Sequence, residues 1–181
     1  FIDAGVGTYP RRTFDKDRYT IWSMSGEYHN IPTINGTPQD KGKVYASKDA
    51  IYDEASGRLS IDMTDVYPLT AQIENYRREA VIESGKAIVR DTVTSKIDGE
   101  IIFNLLAVAE PKLVEAGKMI VCGKVVEFDP SLDLSYDVPD CTWEETQVLP
   151  EHWGVEKFYR IRLCGALKAN KTKTFTLAVC K

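Results

Sequence analysis

Apolar and polar residues alternate over much of this chain. In "RLSIDMT" (58–64) Leu59, Ile61 and Met63 fall on one side and Ser60, Asp62 and Thr64 on the other. "KFYRIRLC" (157–164) sets Tyr159, Ile161 and Leu163 against Arg160 and Arg162, and "KTFTLAVC" (173–180) repeats the period with Phe175, Leu177 and Val179. A period of two predicts strands with one buried and one wet face. "IIFNLLAV" (101–108) is apolar on both sides, as a central strand covered by two layers would be. Turn signals separate such runs at Ala55-Ser56-Gly57, Ser84-Gly85, Asp98-Gly99, Ala116-Gly117, Cys122-Gly123 and Asp129-Pro130. The pattern predicts an all-β chain, an antiparallel meander folded into a two-layered β-sandwich, forming one domain over 1–181. At most one or two short helical turns are expected, the main candidate being "DVYPLTAQIENY" (65–76). The acidic, proline-punctuated stretch 137–154 reads as a long surface connection.

Residues 4–42 fit the meander poorly. Only "YTIWSM" (19–24) reads there as a strand, amid many aromatics, arginines, glycines and prolines. Loops of this chemistry carry sites on a rigid β scaffold. A net charge of −4 gives no global positive field for nucleic acid or an anionic membrane. No apolar run reaches the roughly 20 residues of a membrane span. The four cysteines (Cys122, Cys141, Cys164, Cys180) show no CxxC spacing, which argues against a zinc ribbon. Their even number permits two disulfides, but three of them lie in apolar strand-like runs, where free, buried thiols are the expectation.

The histidines are His29, in "GEYHNIPTING", and His152, in "LPEHWG". His152 reads as solvated, whereas a turn presents His29. Asp3, at the end of an apolar Phe1-Ile2 pair, offers a carboxylate. Carboxylate and imidazole suit zinc, but a site needs at least three protein ligands, and neither residue has a second donor at i+2 or i+4. Tyr9, Arg11, Arg12 and Arg18 have two readings: lining a cleft for an anionic sugar through guanidinium–carboxylate pairs, or standing solvated at the surface. Trp22 and Tyr28 either stack on sugar rings or pack in the core. Trp143 and Trp153 pin the acidic connection. Asn35-Gly36-Thr37 and Asn170-Lys171-Thr172 match the glycosylation sequon.

"FIDAGVGTY", followed by "RRTFDKDRYTIWSMSGEYHNIPTINGTPQ", resembles the C-terminal region of heparinase II/III-type polysaccharide lyases. The likeness covers about residues 1–40 and rests on Asp3 at a strand end, a Tyr-bearing loop, and Tyr28, His29, Asn30, Asn35 and Gly36. It continues more weakly through "LSIDMTDVYP" and "NYRREAVI".

The resemblance implies a bacterial, periplasmic or secreted enzyme that cleaves a uronate-containing polysaccharide by β-elimination. An α/α toroid would precede the β-sandwich, with the cleft between them. It also implies a zinc held by Asp3, His29 and a further histidine from a His-x-His segment. That segment and the toroid are absent here, so the chain is expected to be truncated at its N-terminus and to bind zinc weakly or not at all. The implied substrate contacts are Tyr9, Arg11, Arg12, Arg18, Tyr28 and Asn30. No catalytic residue is expected, because a lyase needs a positioned acid and base and donors for the enolate, and the family draws these from the toroid. The partners implied are an acidic polysaccharide, such as a glycosaminoglycan, and the toroid itself. The alternative is a non-catalytic carbohydrate-binding or structural β-sandwich in which Asp3 and His29 form only a loop hydrogen bond.

Overall fold

A computed structural model describes residues 1–180. Twelve strands follow in chain order. They are β1 (Pro32–Ile34), β2 (Lys48–Asp53), β3 (Arg58–Asp62), β4 (Ile73–Glu83), β5 (Lys86–Ser95) and β6 (Gly99–Ala107). After these come β7 (Lys112–Glu115), β8 (Lys118–Val121), β9 (Lys124–Phe128), β10 (Asp133–Asp137), β11 (Tyr159–Leu167) and β12 (Thr172–Cys180). A single short helix, α1 (Leu149–Trp153), precedes β11. All pairings are antiparallel, in a four-stranded sheet ordered β1-β6-β11-β10 and an eight-stranded sheet ordered β2-β3-β4-β5-β12-β9-β8-β7. The β-sandwich expected from the alternation is therefore present. The larger sheet consists of two meanders, β2 to β5 and β7 to β9, with β12 inserted between them.

All six turn signals fall at connections between consecutive strands, Gly99 being the first residue of β6. Two of them, Ser84-Gly85 and Cys122-Gly123, hold both residues at positive φ. That geometry makes a two-residue hairpin whose twist matches its strands. The β4–β5 turn fixes a long register: Glu83 faces Lys86 and, five positions on, Arg78 faces Asp91.

Strand β6 is covered on both faces, as its sequence predicts. Ile101, Phe103, Leu105 and Ala107 enter the core between the sheets, beside Tyr76, Val93, Ile161, Leu163 and Phe175. On the opposite face Leu106 joins a second cluster of Ala4, Trp22, Leu149 and Phe158. Burying side chains of this size contributes about 1.5–3 kcal/mol each. This second cluster attaches the N-terminal arm to the sandwich.

The arm is not built as its pattern suggests. The stretch 19–24 forms no strand; it runs through 3-10 turns at Lys16–Thr20 and Trp22–Met24. Ile21, Trp22 and Ser23 are buried in succession, where a strand would alternate. Crossing the outer face of the small sheet, the segment has no strand edge to pair with, so its backbone closes locally. Ile21 N–H donates to the Arg18 carbonyl, Met24 N–H to Ile21 and Ser25 N–H to Trp22. Such turns are more frequent than expected: four lie between Arg11 and Tyr28, and in place of one turn in 65–76 there are two, Thr64–Val66 and Leu69–Ala71, before β4 begins.

Two further differences have the same kind of cause. The connection 137–154 is not wholly at the surface, since Glu145, Thr146 and Leu149 are buried beneath the arm. Conversely, Leu59 on β3 is exposed, with Tyr52 and Ile82 on the neighbouring strands, because four strands cannot cover eight. All four cysteines are free, but Cys122 is exposed in its hairpin turn and the other three are only half-buried.

A polar network crosses the core. The Arg78 guanidinium donates to both Asp91 carboxylate oxygens, at 2.7 and 3.0 Å, and through Nη1 to the Asn30 carbonyl at 3.0 Å. Tyr76 donates to Asp91 at 2.7 Å, and Tyr67 donates to the Pro32 carbonyl at 2.6 Å. Burial raises both phenols above their ordinary range. Burial alone would lower the guanidinium's affinity for its proton, but Tyr76 and Asp91 more than offset it, so the guanidinium stays charged. Removing one partner strands the other charge in the core. Arg78→Met is therefore expected to cost about 3–5 kcal/mol in urea unfolding, against about 1–2 kcal/mol for Tyr76→Phe.

Candidate functional site

Asp3 and His29, 26 positions apart in sequence, meet at one end of the small sheet. Ile2 bridges Leu106 of β6 and so delivers Asp3 just beyond the strand edge. A 3-10 turn at Gly26–Tyr28 ends on His29, before the chain enters β1. His29 Nδ1 lies 2.7 Å from Asp3 Oδ2, and Asp3 Oδ1 accepts the Gly5 N–H at 2.9 Å. Partial burial pushes the Asp3 carboxyl up, but the Gly5 N–H and His29 outweigh it and hold the group below its ordinary range. An ionised carboxylate can only accept, so Nδ1 carries the proton. The other ring nitrogen has no hydrogen-bond partner within the described residues.

Asn30 locks this corner together. Its amide donates to the Ile2 carbonyl at 3.0 Å and accepts the Leu106 N–H at 3.2 Å. Its own carbonyl takes the Arg78 guanidinium from the opposite sheet. The side chain expected to touch substrate thus has both its ends in the scaffold. Asn35 is similarly committed: its amide donates to Ala71 and Ser95 and accepts the Glu100 N–H. Nothing in that arrangement leaves its nitrogen free for a glycan.

The arm residues separate into committed and free groups. Arg12 stacks over Trp143 at 4.9 Å, donates to Thr20 at 2.6 Å and lies 3.7 Å from buried Glu145. Trp22 is a core residue, 4% exposed, whose indole donates to the Asp140 carbonyl at 2.8 Å. Trp153 pins the connection as expected, donating to the Ala4 carbonyl at 3.1 Å. Tyr28 is half-buried between Trp22 and the Arg160 guanidinium, 4.4 Å from its ring. Burial is the main reason its phenol titrates above the ordinary range; Arg160 opposes the shift and Asp137 adds to it. It keeps its proton at neutral pH and can donate it. Tyr9 is 64% exposed, with its ring against Phe14, and Arg11 is exposed.

The sequence reading missed Arg78, Asp91, Arg160 and Asp137. A signal for the first pair was present, since a two-residue turn at Ser84-Gly85 places an inward arginine opposite an aspartate. Arg160 donates in a fork to Asp137, at 2.7 and 3.1 Å from Oδ2, through a β10–β11 pairing that a long connection hides from the sequence.

As donors, Asp3 and His29 suit zinc in kind but not in number. Among the described residues no group of three His, Cys, Asp or Glu side chains comes together to hold a metal. What these residues form on their own is a charge-assisted hydrogen bond with half-exposed partners.

No family model matches the chain, and no curated protein does. Among solved structures it is similar to the heparan sulfate lyase HepC of Pedobacter heparinus, with a TM-score of 0.66 and 13% identity. That match covers 98% of this chain and 28% of HepC. Two heparinase III structures match in the same way. One has a TM-score of 0.66 at 11% identity, over 99% of this chain and 27% of that one. The other has a TM-score of 0.62 at 14% identity, with the same coverage, 99% and 27%. The shared property is fold: from end to end this chain resembles a domain of heparan sulfate lyases, beyond the first 40 residues in which the sequence likeness is concentrated. It spans little more than a quarter of the lyases it matches.

The arm that carries Asp3 is held against the connection at Gly7. Thr8 donates its N–H to the Glu145 carbonyl at 3.2 Å, and a Cβ on Gly7 would stand 1.8 Å from that oxygen. Gly7→Ala is expected to lift the arm and cost about 1–3 kcal/mol. The check is faster proteolysis within residues 4–20 and a red-shifted Trp22 emission.

Proposed function

We propose that this chain is the C-terminal β-sandwich domain of a heparinase-type polysaccharide lyase that cleaves an acidic, uronate-containing polysaccharide by β-elimination. The observation that carries the reading is the near-complete coverage of this chain by heparan sulfate lyase structures. The closed Asp3–His29 pair supports it, because these two residues were singled out by a sequence likeness independent of the fold.

In this reading the domain forms one wall of a cleft whose other wall is an α/α toroid. A lyase must neutralise the uronate carboxylate, remove the proton α to it and protonate the leaving oxygen. Exposed Tyr9 and Arg11 would contribute to the first task, as would Arg18 and Tyr28. Arg12 and Asn30, bound into the scaffold, would shape the wall. With His29 committed to the metal in this reading, the proton transfers are assigned to the toroid. Asp3 and His29 would hold a zinc with a third donor from outside these residues, and that ion would brace the structure beside the cleft. An acidic polysaccharide substrate places the enzyme in the periplasm or outside the cell.

The isolated chain is expected to release no unsaturated uronate, followed by its ultraviolet absorbance, from heparan sulfate or alginate. Robust turnover by these residues alone would overturn the division of labour. In a polypeptide carrying both domains, zinc is expected to survive dialysis in the wild type and to fall to about a third or less in His29→Ala, since a site needs three ligands. Unchanged zinc would leave the pair as a loop hydrogen bond, as in a non-catalytic module.

A further inference from the structure

A groove of about 460 Å³ opens beside His29, lined by Tyr19, Ser25, Gln39, Lys41 and Tyr45 among others. Its volume lies within the range of small-ligand sites. The ring of Tyr19, in the groove wall, packs against two cations, of which Lys41 lines the groove and Arg18 does not. The Lys41 ammonium stands 4.5 Å from the Tyr19 centroid and the Arg18 guanidinium 5.2 Å from it. Neither cation forms a salt bridge among the described residues. Arg18 Nε is moreover buried without any hydrogen-bond partner. The acid at the groove, Asp40, turns a carboxylate oxygen back to the Lys41 backbone N–H at 2.7 Å. Charges held by an aromatic ring and left without counter-ions favour an anion, while tyrosine faces and a glutamine amide suit a pyranose ring and its hydroxyls.

We propose that this groove is a subsite for one anionic sugar unit of the polymer, bearing a carboxylate or a sulfate. Lys41 neutralises the anion, Tyr45 packs on the ring, and Gln39 reads a hydroxyl. Tyr19 is a positioning residue, since it acts by holding the Lys41 ammonium in place. The assignment rests on the polysaccharide-lyase reading and extends it. Tyr9 and Arg11 were expected to face substrate; Tyr19, Gln39, Lys41 and Tyr45 would carry the chain on past His29.

The test is calorimetric titration of the intact 181-residue chain with three tetrasaccharides. One is sulfated and uronate-containing, one is its desulfated form that keeps the carboxylates, and one is neutral. Lys41→Ala, Tyr45→Ala and Tyr19→Ala are expected to weaken the acidic ligand about fivefold or more each. Lys41→Ala should also flatten its salt dependence. The desulfated ligand tells a sulfate-directed subsite from a carboxylate-directed one: retained affinity assigns the carboxylate, lost affinity the sulfate. Lys171→Ala, in a turn outside the groove, is the control, and melting curves confirm that each variant is folded. Acidic ligand bound equally by wild type and all three groove variants, but weakened by Arg11→Ala, would overturn the subsite and leave the lyase reading intact. Equal binding of the neutral ligand would overturn the charge assignment. No binding of any acidic ligand by the wild type would overturn both the subsite and the cleft-wall reading on which it rests.

Discussion

Covering β6 on both faces is the constraint from which the remaining architecture follows. Ile101, Phe103, Leu105 and Ala107 make it the middle of the sandwich, and Leu106 makes it the seat of the arm. An apolar strand exposed on one face would be an aggregation site. The arm therefore crosses that face in 3-10 turns, and its crossing is what carries Asp3 to His29. The site is a by-product of covering a strand: the chain segments that shield Leu106 are the ones that present the carboxylate and the imidazole.

Rigidity at that corner comes from the opposite sheet. Arg78 uses three of its donors, two on Asp91 and one on the Asn30 carbonyl. Asn30 in turn spends its amide on Ile2 and Leu106. The large sheet is thus linked through one guanidinium to the residue after His29 and, through one amide, to the residue before Asp3. The Asp3–His29 contact is half-exposed and weak by itself. Its geometry is set by the buried groups behind it. A site meant to engage a further partner or ion gains from this arrangement, because the ordering is supplied by the scaffold.

The strands were legible where burial is one-sided and the neighbours are close in sequence. Tyr159, Ile161 and Leu163 alternate with Arg160 and Arg162 in the structure as in the sequence, and each turn signal lies at a strand connection. Legibility failed for Ile21, Trp22 and Ser23, where three successive residues are buried by elements distant in the chain. It also failed for Leu59, whose apolar side faces a part of the large sheet that the small sheet does not reach. Asp3 and His29 could be paired by likeness to a family, but spacing alone could not bring them together. The groove at Tyr19, Lys41 and Tyr45 was signalled only by the loop chemistry of 4–42; which side chains line it could not be read, since its walls come from two loops that meet only after folding.

The sequence by itself determined the sandwich. Period-two alternation can be satisfied only by placing one side of each strand inside, and residue pairs such as Ser84-Gly85 fix where strands reverse and in what register. Tertiary structure decided the path of the arm, the ion pair beneath Asn30 and the meeting of Asp3 with His29. These rest on contacts between residues far apart in the chain, and no local pattern encodes which distant surface a segment will cover.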